Sequence, residues 1–157
     1  MTDEEIKVFI DGAMRYFERV SGQAATVETP YLRGDESVSS DFTGVIGISG
    51  RHRGAVYFTA GKAMLSDLLA RLGEREATPQ YLGDLVGEVA NTIAGNARRY
   101  YGQDFLISVP VVLRGRPEEI SFPRHLKSFV IPIEWQGHLS YLIVCLERSP
   151  SHLGGSS

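Results

Sequence analysis

The 157-residue chain is 43% hydrophobic and 22% charged, and its 16 Lys and Arg against 19 Asp and Glu give a net charge of −3. These values are typical of one globular domain. They argue against a disordered chain and against a nucleic-acid-binding protein, which carries a basic face. The one cysteine, Cys145, excludes an intrachain disulfide and a cysteine metal cluster, and its apolar neighbours predict a buried hydrophobic residue. No apolar run has membrane-spanning length and the acidic N-terminus is unlike a signal peptide, so we expect a cytoplasmic protein without a membrane partner.

The first part of the chain predicts a helix followed by a hairpin. Hydrophobic residues recur every three or four positions over residues 3–19, which is the spacing of an amphipathic helix. Residues 21–36 predict a loop with room for one short strand. The β-branched and aromatic residues of 37–48 and 55–60 predict two strands, and the glycine-bounded turn at 50–54 joins them as a hairpin.

Two further helices and three further extended runs follow. Leucines and a methionine on one face predict a helix over 62–72, and Thr78-Pro79 is a start signal for a third helix that continues to about Tyr100. The extended runs are 105–113, 128–135 and 139–147. Because helices and strands are mixed without regular β-α-β alternation, we predict an α+β fold with helices packed on an antiparallel sheet. We assign a single domain to residues 1–148 and a loose polar tail to residues 149–157.

The common catalytic and metal-binding templates are not matched. The glycines at 44, 47 and 50 lie in a predicted strand and turn, so they do not indicate a phosphate-binding loop. No Gly-x-Ser-x-Gly nucleophile elbow is present. The histidines are scattered over predicted turns and the tail without metal-ligand spacing: His52, His125, His138 and His152. The segment Arg98-Arg99-Tyr100-Tyr101 resembles a basic-aromatic patch, but the helix dipole alone accounts for two arginines at a helix C-terminus. We therefore expect no metal site and no strong nucleophile.

The third helix departs from an ordinary surface helix. One side carries a broad apolar stripe: Leu82, Leu85, Val86, Val89, Ala90, Ile93, Ala94 and Ala97. The opposite side carries four small or polar residues within a band about 60° wide. These are Asp84, Glu88, Asn91 and Gly95. A solvated outer face is one interpretation, but this face has few long side chains and includes residues that disfavour a helix. A flat face around a carboxylate and a carboxamide is what close docking of another protein requires.

This helix resembles the signature helix of the CheC/CheX/FliY chemotaxis phosphatases. In that family an Asp or Ser is followed after three residues by Glu, after two more by Asn, and about twenty residues later by a proline. Asp84, Glu88 and Asn91 match the pattern, and Pro110 is the candidate proline. CheC and FliY carry two copies of the motif and CheX carries one. The single copy in this chain therefore makes it similar to the CheX branch.

The resemblance implies a role for each motif residue. The substrate would be the phosphorylated response regulator CheY, whose Mg²⁺ and lysine hold the phosphoryl group, so the phosphatase needs no cofactor of its own. Asn91 would position the attacking water, and Glu88 would pair with the regulator's lysine. Asp84 would support docking, with helix capping and solubility as equal alternatives. Gly87 and Gly95 would allow close approach of the partner, and internal helix packing is a comparable explanation for both glycines.

The resemblance also implies a homodimer joined through its sheets. The long apolar runs at 105–113 and 139–147 support that expectation, because exposed strand edges invite pairing.

Two other classes of function stay open. One is a non-catalytic module of the chemotaxis and flagellar switch system that binds or scaffolds receiver domains. The other is a structural dimer whose motif is vestigial.

Overall fold

An antiparallel sheet with helices packed on it forms the fold, which the computed structural model describes over residues 1–34, 38–74, 76–115 and 127–150. Within those residues the helices are α1 (Asp3–Ser21), α2 (Lys62–Arg71) and α3 (Pro79–Tyr101). The strands of the same residues are β1 (Thr26–Val27), β2 (Tyr31–Leu32), β3 (Phe42–Gly50), β4 (His52–Ala60), β5 (Phe105–Ile107), β6 (Val111–Arg114), β7 (Ser128–Trp135) and β8 (His138–Arg148). The predicted α+β class is confirmed.

The order of strands corrects one expectation. The described strands follow the order β1-β7-β8-β4-β3-β5, with β2 also paired to β7 and β6 also paired to β3. Strand β8 lies between β7 and β4, and its Val144 is opposite both Phe129 and Val56. The run 139–147 therefore presents no free edge, and the expectation that its edge invites pairing is wrong. The run 105–113 does lie at an edge of the sheet, on β3.

Alternation along the central strands gives the sheet two apolar faces. Val56 and Phe58 of β4 are fully buried in the main core, to which all three described helices contribute. Tyr57, between them, belongs to the opposite face because successive side chains of a strand alternate. There it forms a smaller cluster with Val38, Val130 and Ile143. Cys145 is fully buried, as its apolar neighbours predict.

Local hydrogen bonds explain where α1 and α3 begin. The Thr2 hydroxyl accepts from the Glu5 amide at 3.1 Å, and the Glu5 carboxylate accepts from the Thr2 amide at 2.8 Å. This reciprocal pair satisfies two amides that the first turn leaves unpaired. The Thr78 hydroxyl accepts from the Tyr81 amide at 3.2 Å in the same way, with Pro79 at the first helical position. Helix α3 therefore starts where the sequence predicts.

The edge strand is broken, which the sequence analysis did not predict. Ile107 lies opposite Ile48 and Val111 lies opposite Val45, so the three residues 108–110 face two residues of β3. This arrangement is a β-bulge, which bends the strand and redirects its side chains. The predicted single run 105–113 is therefore two strands, β5 and β6.

Other boundaries differ by a few residues. The predicted loop 21–36 contains two short strands, β1 and β2, and the first long strand begins at Phe42. The hairpin turn is tighter than 50–54 because β4 starts at His52. Ser149 is tied to the turn, since its amide donates to the Arg51 carbonyl at 2.8 Å. His125, His152 and the tail from residue 151 lie outside the described residues.

Candidate functional site

The motif residues of α3 share one exposed face. Asp84, Glu88 and Asn91 are exposed and Gly95 is half-buried. All eight residues of the predicted apolar stripe are at most 3% exposed. The division of α3 into a buried stripe and an exposed motif face is thus confirmed. Within the described part of the chain, the three polar motif side chains make no hydrogen bond or ion pair, so their polar atoms point to solvent.

Asp84 does not cap its helix. The cap of α3 is Thr78, and Asp84 lies six residues later, beyond the first turn. Amides at that depth already donate within the helix, so a carboxylate there has no unpaired amide to accept from. Of the roles considered for Asp84, docking support and solubility stay as predictions.

The helix lies unusually close to the sheet beneath it. A Cβ atom placed on Gly44 of β3 would stand 2.6 Å from the carbonyl oxygen of Val86. On the side of β6, a Cβ placed on Gly83 or Gly87 would stand 3.2 Å from a methyl group of Val112. The absence of side chains at these positions lets the backbone of α3 rest on both strands. The motif residues are therefore held by a helix with little freedom to shift.

The bulge brings Pro110 beside the motif. The Ser108 amide donates to the Gly47 carbonyl at 2.9 Å, and the Ser108 hydroxyl accepts from the Gly47 amide at 2.8 Å. The chain then turns outward at Val109, which is 80% exposed, and returns at Pro110, whose ring faces Gly87. Pro110 thus packs one residue away from Glu88. Internal packing accounts for a glycine at position 87, and partner contact by Gly95 stays a prediction.

Helix α1 flanks the other side of the motif face, which the sequence analysis missed. Tyr16 is buried, and burial followed by the nearby Glu88 carboxylate raises the pKa of its hydroxyl. Arg15 donates from Nη1 to the Asn96 side-chain oxygen at 2.9 Å. Gly12 makes room for that amide, because a Cβ there would stand 3.0 Å from Asn96 Nδ2. These contacts join residues about eighty positions apart, so no local pattern reveals them.

An exposed aromatic residue extends the motif face. Tyr81 is 43% exposed and precedes Asp84 by three residues, so it lies on the same side of α3. Helical spacing alone is enough to identify it, although Tyr81 is not among the predicted site residues. Tyrosine is enriched at protein interfaces because one side chain offers both apolar area and a hydroxyl.

The described histidines lie away from the motif face. His52 packs on Tyr101 and Phe105 at ring-centre distances of 4.7 and 6.0 Å, and burial lowers its pKa. His138 contacts Asp67 of α2 at 3.3 Å. Among the described residues no group of His, Cys, Asp and Glu is arranged to hold a metal ion. None of the described helices combines the length and the apolar character of a membrane span.

The arrangement suits action on another protein. Glu88 and Asn91 project from the exposed face of α3, so they can enter a recess of a partner. A carboxylate accepts hydrogen bonds from a cation, and a carboxamide both donates and accepts without titrating. The face can therefore orient a water molecule or a charged side chain.

The family model described as chemotaxis phosphatase CheX matches residues 42–134, which is more than half of the chain and includes the whole of α3. No curated protein matches the sequence significantly.

Solved structures of similar proteins share the fold. The chemotaxis protein CheX from Desulfovibrio desulfuricans is 25% identical, with 92% of this chain and 99% of that chain covered and a TM-score of 0.81. The chemotaxis protein CheX from Vibrio vulnificus is 24% identical, with 92% and 99% covered and a TM-score of 0.81. CheX from Borrelia burgdorferi, solved in complex with CheY, BeF3 and Mg²⁺, is 17% identical, with 91% and 97% covered and a TM-score of 0.75. The chain belongs to the CheX family of chemotaxis phosphatases.

Proposed function

We propose that this protein hydrolyses the aspartyl phosphate of a CheY-type response regulator. Asn91 positions the attacking water, and Glu88 pairs with the regulator's lysine. The observation that carries the proposal is the placement of these two side chains one turn apart on the exposed face of a firmly packed helix, in a chain of the CheX family. The Borrelia burgdorferi relative supports the choice of partner, because its structure contains CheY.

The reaction requires precise positioning of a water molecule more than it requires a general acid or base. Water attacks phosphorus, the bond from phosphorus to the aspartyl oxygen breaks, and the carboxylate leaves with the bonding electrons. The water proton passes to the phosphate or to solvent. The aspartyl phosphate is a mixed anhydride with a good leaving group, so holding water in line supplies most of what is missing.

Asn91 meets the requirements for that role. Its amide oxygen can accept a hydrogen bond from water, which orients a water lone pair toward phosphorus, while its NH2 donates to a phosphoryl oxygen. The helix beneath Asn91 is fixed through Gly44 and Gly87, so the amide enters the partner's site without a loop having to order. Mg²⁺ belongs to the regulator in this proposal.

Glu88 sets the depth and orientation of binding. Its carboxylate is exposed and lies one turn before Asn91, so a lysine of the regulator can reach it as Asn91 enters the site. Buried Tyr16 of α1 lies near this turn, since burial and then the Glu88 carboxylate raise the pKa of its hydroxyl. Asp84, Tyr81 and Gly95 complete the contact surface along the same face.

A phosphate-release assay tests the proposal. Receiver domains charged with acetyl phosphate and Mg²⁺ are mixed with the protein, and release is compared with spontaneous hydrolysis of the same domains. We expect acceleration by the wild type and a turnover lower by about 10²-fold or more for the Asn91→Ala variant. Tight binding of a charged receiver without acceleration would instead indicate a non-catalytic receiver-binding module.

The homodimer implied by the family resemblance is a separate proposal. The edge strand formed by β5 and β6, with exposed Leu106 and Val111, supports it from this chain. Light scattering at tens of micromolar protein is expected to give about twice the mass of one chain, and a monomer mass would contradict the dimer.

A further inference from the structure

The charge on the exposed face of α3 changes sign along the length of the helix. Asp84 and Glu88 occupy its first half, and Arg98 and Arg99 occupy its last turn, all four exposed. By helix geometry the two arginines lie within the same sector of about 100° as the motif residues, roughly 10–12 Å beyond Asn91 along the axis. Asn91 therefore lies between an acidic half and a basic half of one continuous face.

A third arginine reaches this basic half from another helix. Arg15 lies in the middle of α1, and its guanidinium is fixed by the 2.9 Å hydrogen bond to Asn96. Asn96 precedes Arg99 by three residues, so both side chains lie on the same side of α3. The helix dipole favours arginines in the last turn of α3, but it does not explain an arginine mid-way along α1. We call Arg15, Arg98 and Arg99 the arginine patch.

Three carboxylates of α1 have partners outside the arginine patch. The Tyr100 hydroxyl donates to Glu4 at 2.8 Å and the Tyr101 hydroxyl donates to Glu5 at 3.1 Å. Asp11 pairs with Lys7 at 2.9 Å. Over the described ranges, no carboxylate lies within ion-pair distance of any arginine in the patch. Its three guanidinium groups thus keep donors directed to solvent.

We propose that the arginine patch binds the acidic surface that surrounds the phosphorylated aspartate of the regulator. This inference rests on the proposed function. A site that holds Mg²⁺ and carries a phosphoryl group is built from carboxylates, so its rim is acidic and complements three arginines. The regulator's lysine then faces Glu88 while its acids face the patch. Opposite charges then face each other at both halves of the exposed face of α3 in only one relative orientation of the two proteins. The patch therefore steers association and sets the orientation of docking.

A protein partner fits this patch better than a nucleic acid does. The chain carries a net charge of −3, and the acids Glu4 and Glu5 border the patch at the start of α1. A phosphate backbone would meet those acids as it extended beyond the patch, and it needs a longer basic stripe. The acidic rim of a receiver site is compact, so it can contact the three arginines without extending to Glu4 and Glu5.

Stopped-flow binding tests the inference with a CheY-type receiver loaded with beryllofluoride and Mg²⁺ as the probe. The variants are Arg98→Gln with Arg99→Gln, and Arg15→Gln alone. The control is Lys62→Gln with Lys127→Gln, which removes the same charge from exposed positions outside α1 and α3. We expect the double arginine variant to associate about tenfold more slowly at low salt and to approach the wild-type rate at about 0.5 M salt. The dissociation rate should change by less than about twofold.

Two further measurements separate this inference from the proposed function. Single-turnover hydrolysis at saturating protein should be unchanged in the arginine variants, because they alter encounter and not the reacting atoms. Equal association rates for the arginine variants and the lysine control would overturn the patch while leaving the phosphatase intact. Loss of hydrolysis at saturation would likewise contradict a role limited to encounter. If the wild type itself failed to release phosphate, the proposed function would fall, whatever the arginines did. Arg15→Gln gives a second reading if the double variant folds poorly.

Discussion

Gly44 of β3 lies directly beneath the Val86 carbonyl of α3, so close that a Cβ on Gly44 would stand 2.6 Å from that oxygen. This contact fixes the height of the helix above the sheet. Since Glu88 follows two residues after Val86, the same contact fixes how far the motif face stands out from the body of the protein.

We predict that Gly44→Ala destabilises the fold and weakens the site together. The new methyl group must push α3 away from β3, which costs roughly 1–3 kcal/mol of unfolding free energy. Chemical denaturation measures that loss, and phosphate release at a temperature where the variant stays folded measures the effect on turnover. Gly47→Ala is the matched control, because a Cβ there meets Ser108 Oγ at an ordinary 3.5 Å. Equal stability of the two variants would contradict the prediction.

For Asn91→Ala we expect an intact fold and a fall in turnover of about 10²-fold or more, the size of effect seen when one preorganised polar group is lost. Alanine is the better helix former, so thermal stability should be unchanged or slightly higher. Binding to a beryllofluoride-loaded receiver should change little. Thr92→Ala, at the exposed neighbouring position of α3, serves as the control and should retain wild-type turnover.

Glu88→Ala should mainly weaken binding to the regulator, and its effect on the hydrolysis step should be secondary. Removing the carboxylate leaves the regulator's lysine without its partner at the interface, which we expect to weaken binding by about 2 kcal/mol, or roughly 30-fold. Glu88→Asp should recover little, because its shorter side chain does not reach the same point. Isothermal titration against the loaded receiver measures both variants. A wild-type dissociation constant for Glu88→Ala would remove the lysine pair from the mechanism.

The rate of hydrolysis should depend weakly on pH. In the proposed mechanism Asn91 only orients water and does not titrate, so no group of this protein has to exchange a proton during the reaction. Within the described residues, neither histidine lies on the motif face. Between about pH 6.5 and 8.5 we expect a flat rate, apart from titration of the regulator alone. A bell-shaped profile that disappears in His52→Gln, His125→Gln or His138→Gln would indicate a general base instead.

Stability, in contrast, should fall with acid because of His52. Burial is the main reason that its pKa in the folded protein is below the ordinary 6.5, with Arg148 adding to the shift and Glu5 opposing it. Between those two pKa values the unfolded chain binds a proton that the folded chain does not, so unfolding becomes easier as pH decreases below about 6.5. The wild type should lose more unfolding free energy between about pH 7.5 and 5.5 than His52→Gln does. Equal losses of unfolding free energy in the two proteins would show that protonation of His52 is not coupled to folding.

Much of the molecule followed from local patterns. The spacing of apolar residues in α3, its Thr78 cap and the motif Asp84, Glu88 and Asn91 can all be read from one segment, because a helix repeats every 3.6 residues whatever surrounds it. The α+β class followed for the same reason, since periodicity separates helices from strands without knowledge of their packing.

Contacts between distant segments could be decided only by the tertiary structure. Strand pairing, which no local period encodes, decides three features. They are the central position of β8, the bulge at 108–110 and the packing of Pro110 against Gly87. Arg15 reaches Asn96 across 81 positions of sequence because α1 packs beside α3. The sequence alone identified the candidate residues for the proposed chemistry, since their types and spacing are local. Packing determined how rigidly they are held and which charges surround them, since close approach and electrostatics depend on distance in space.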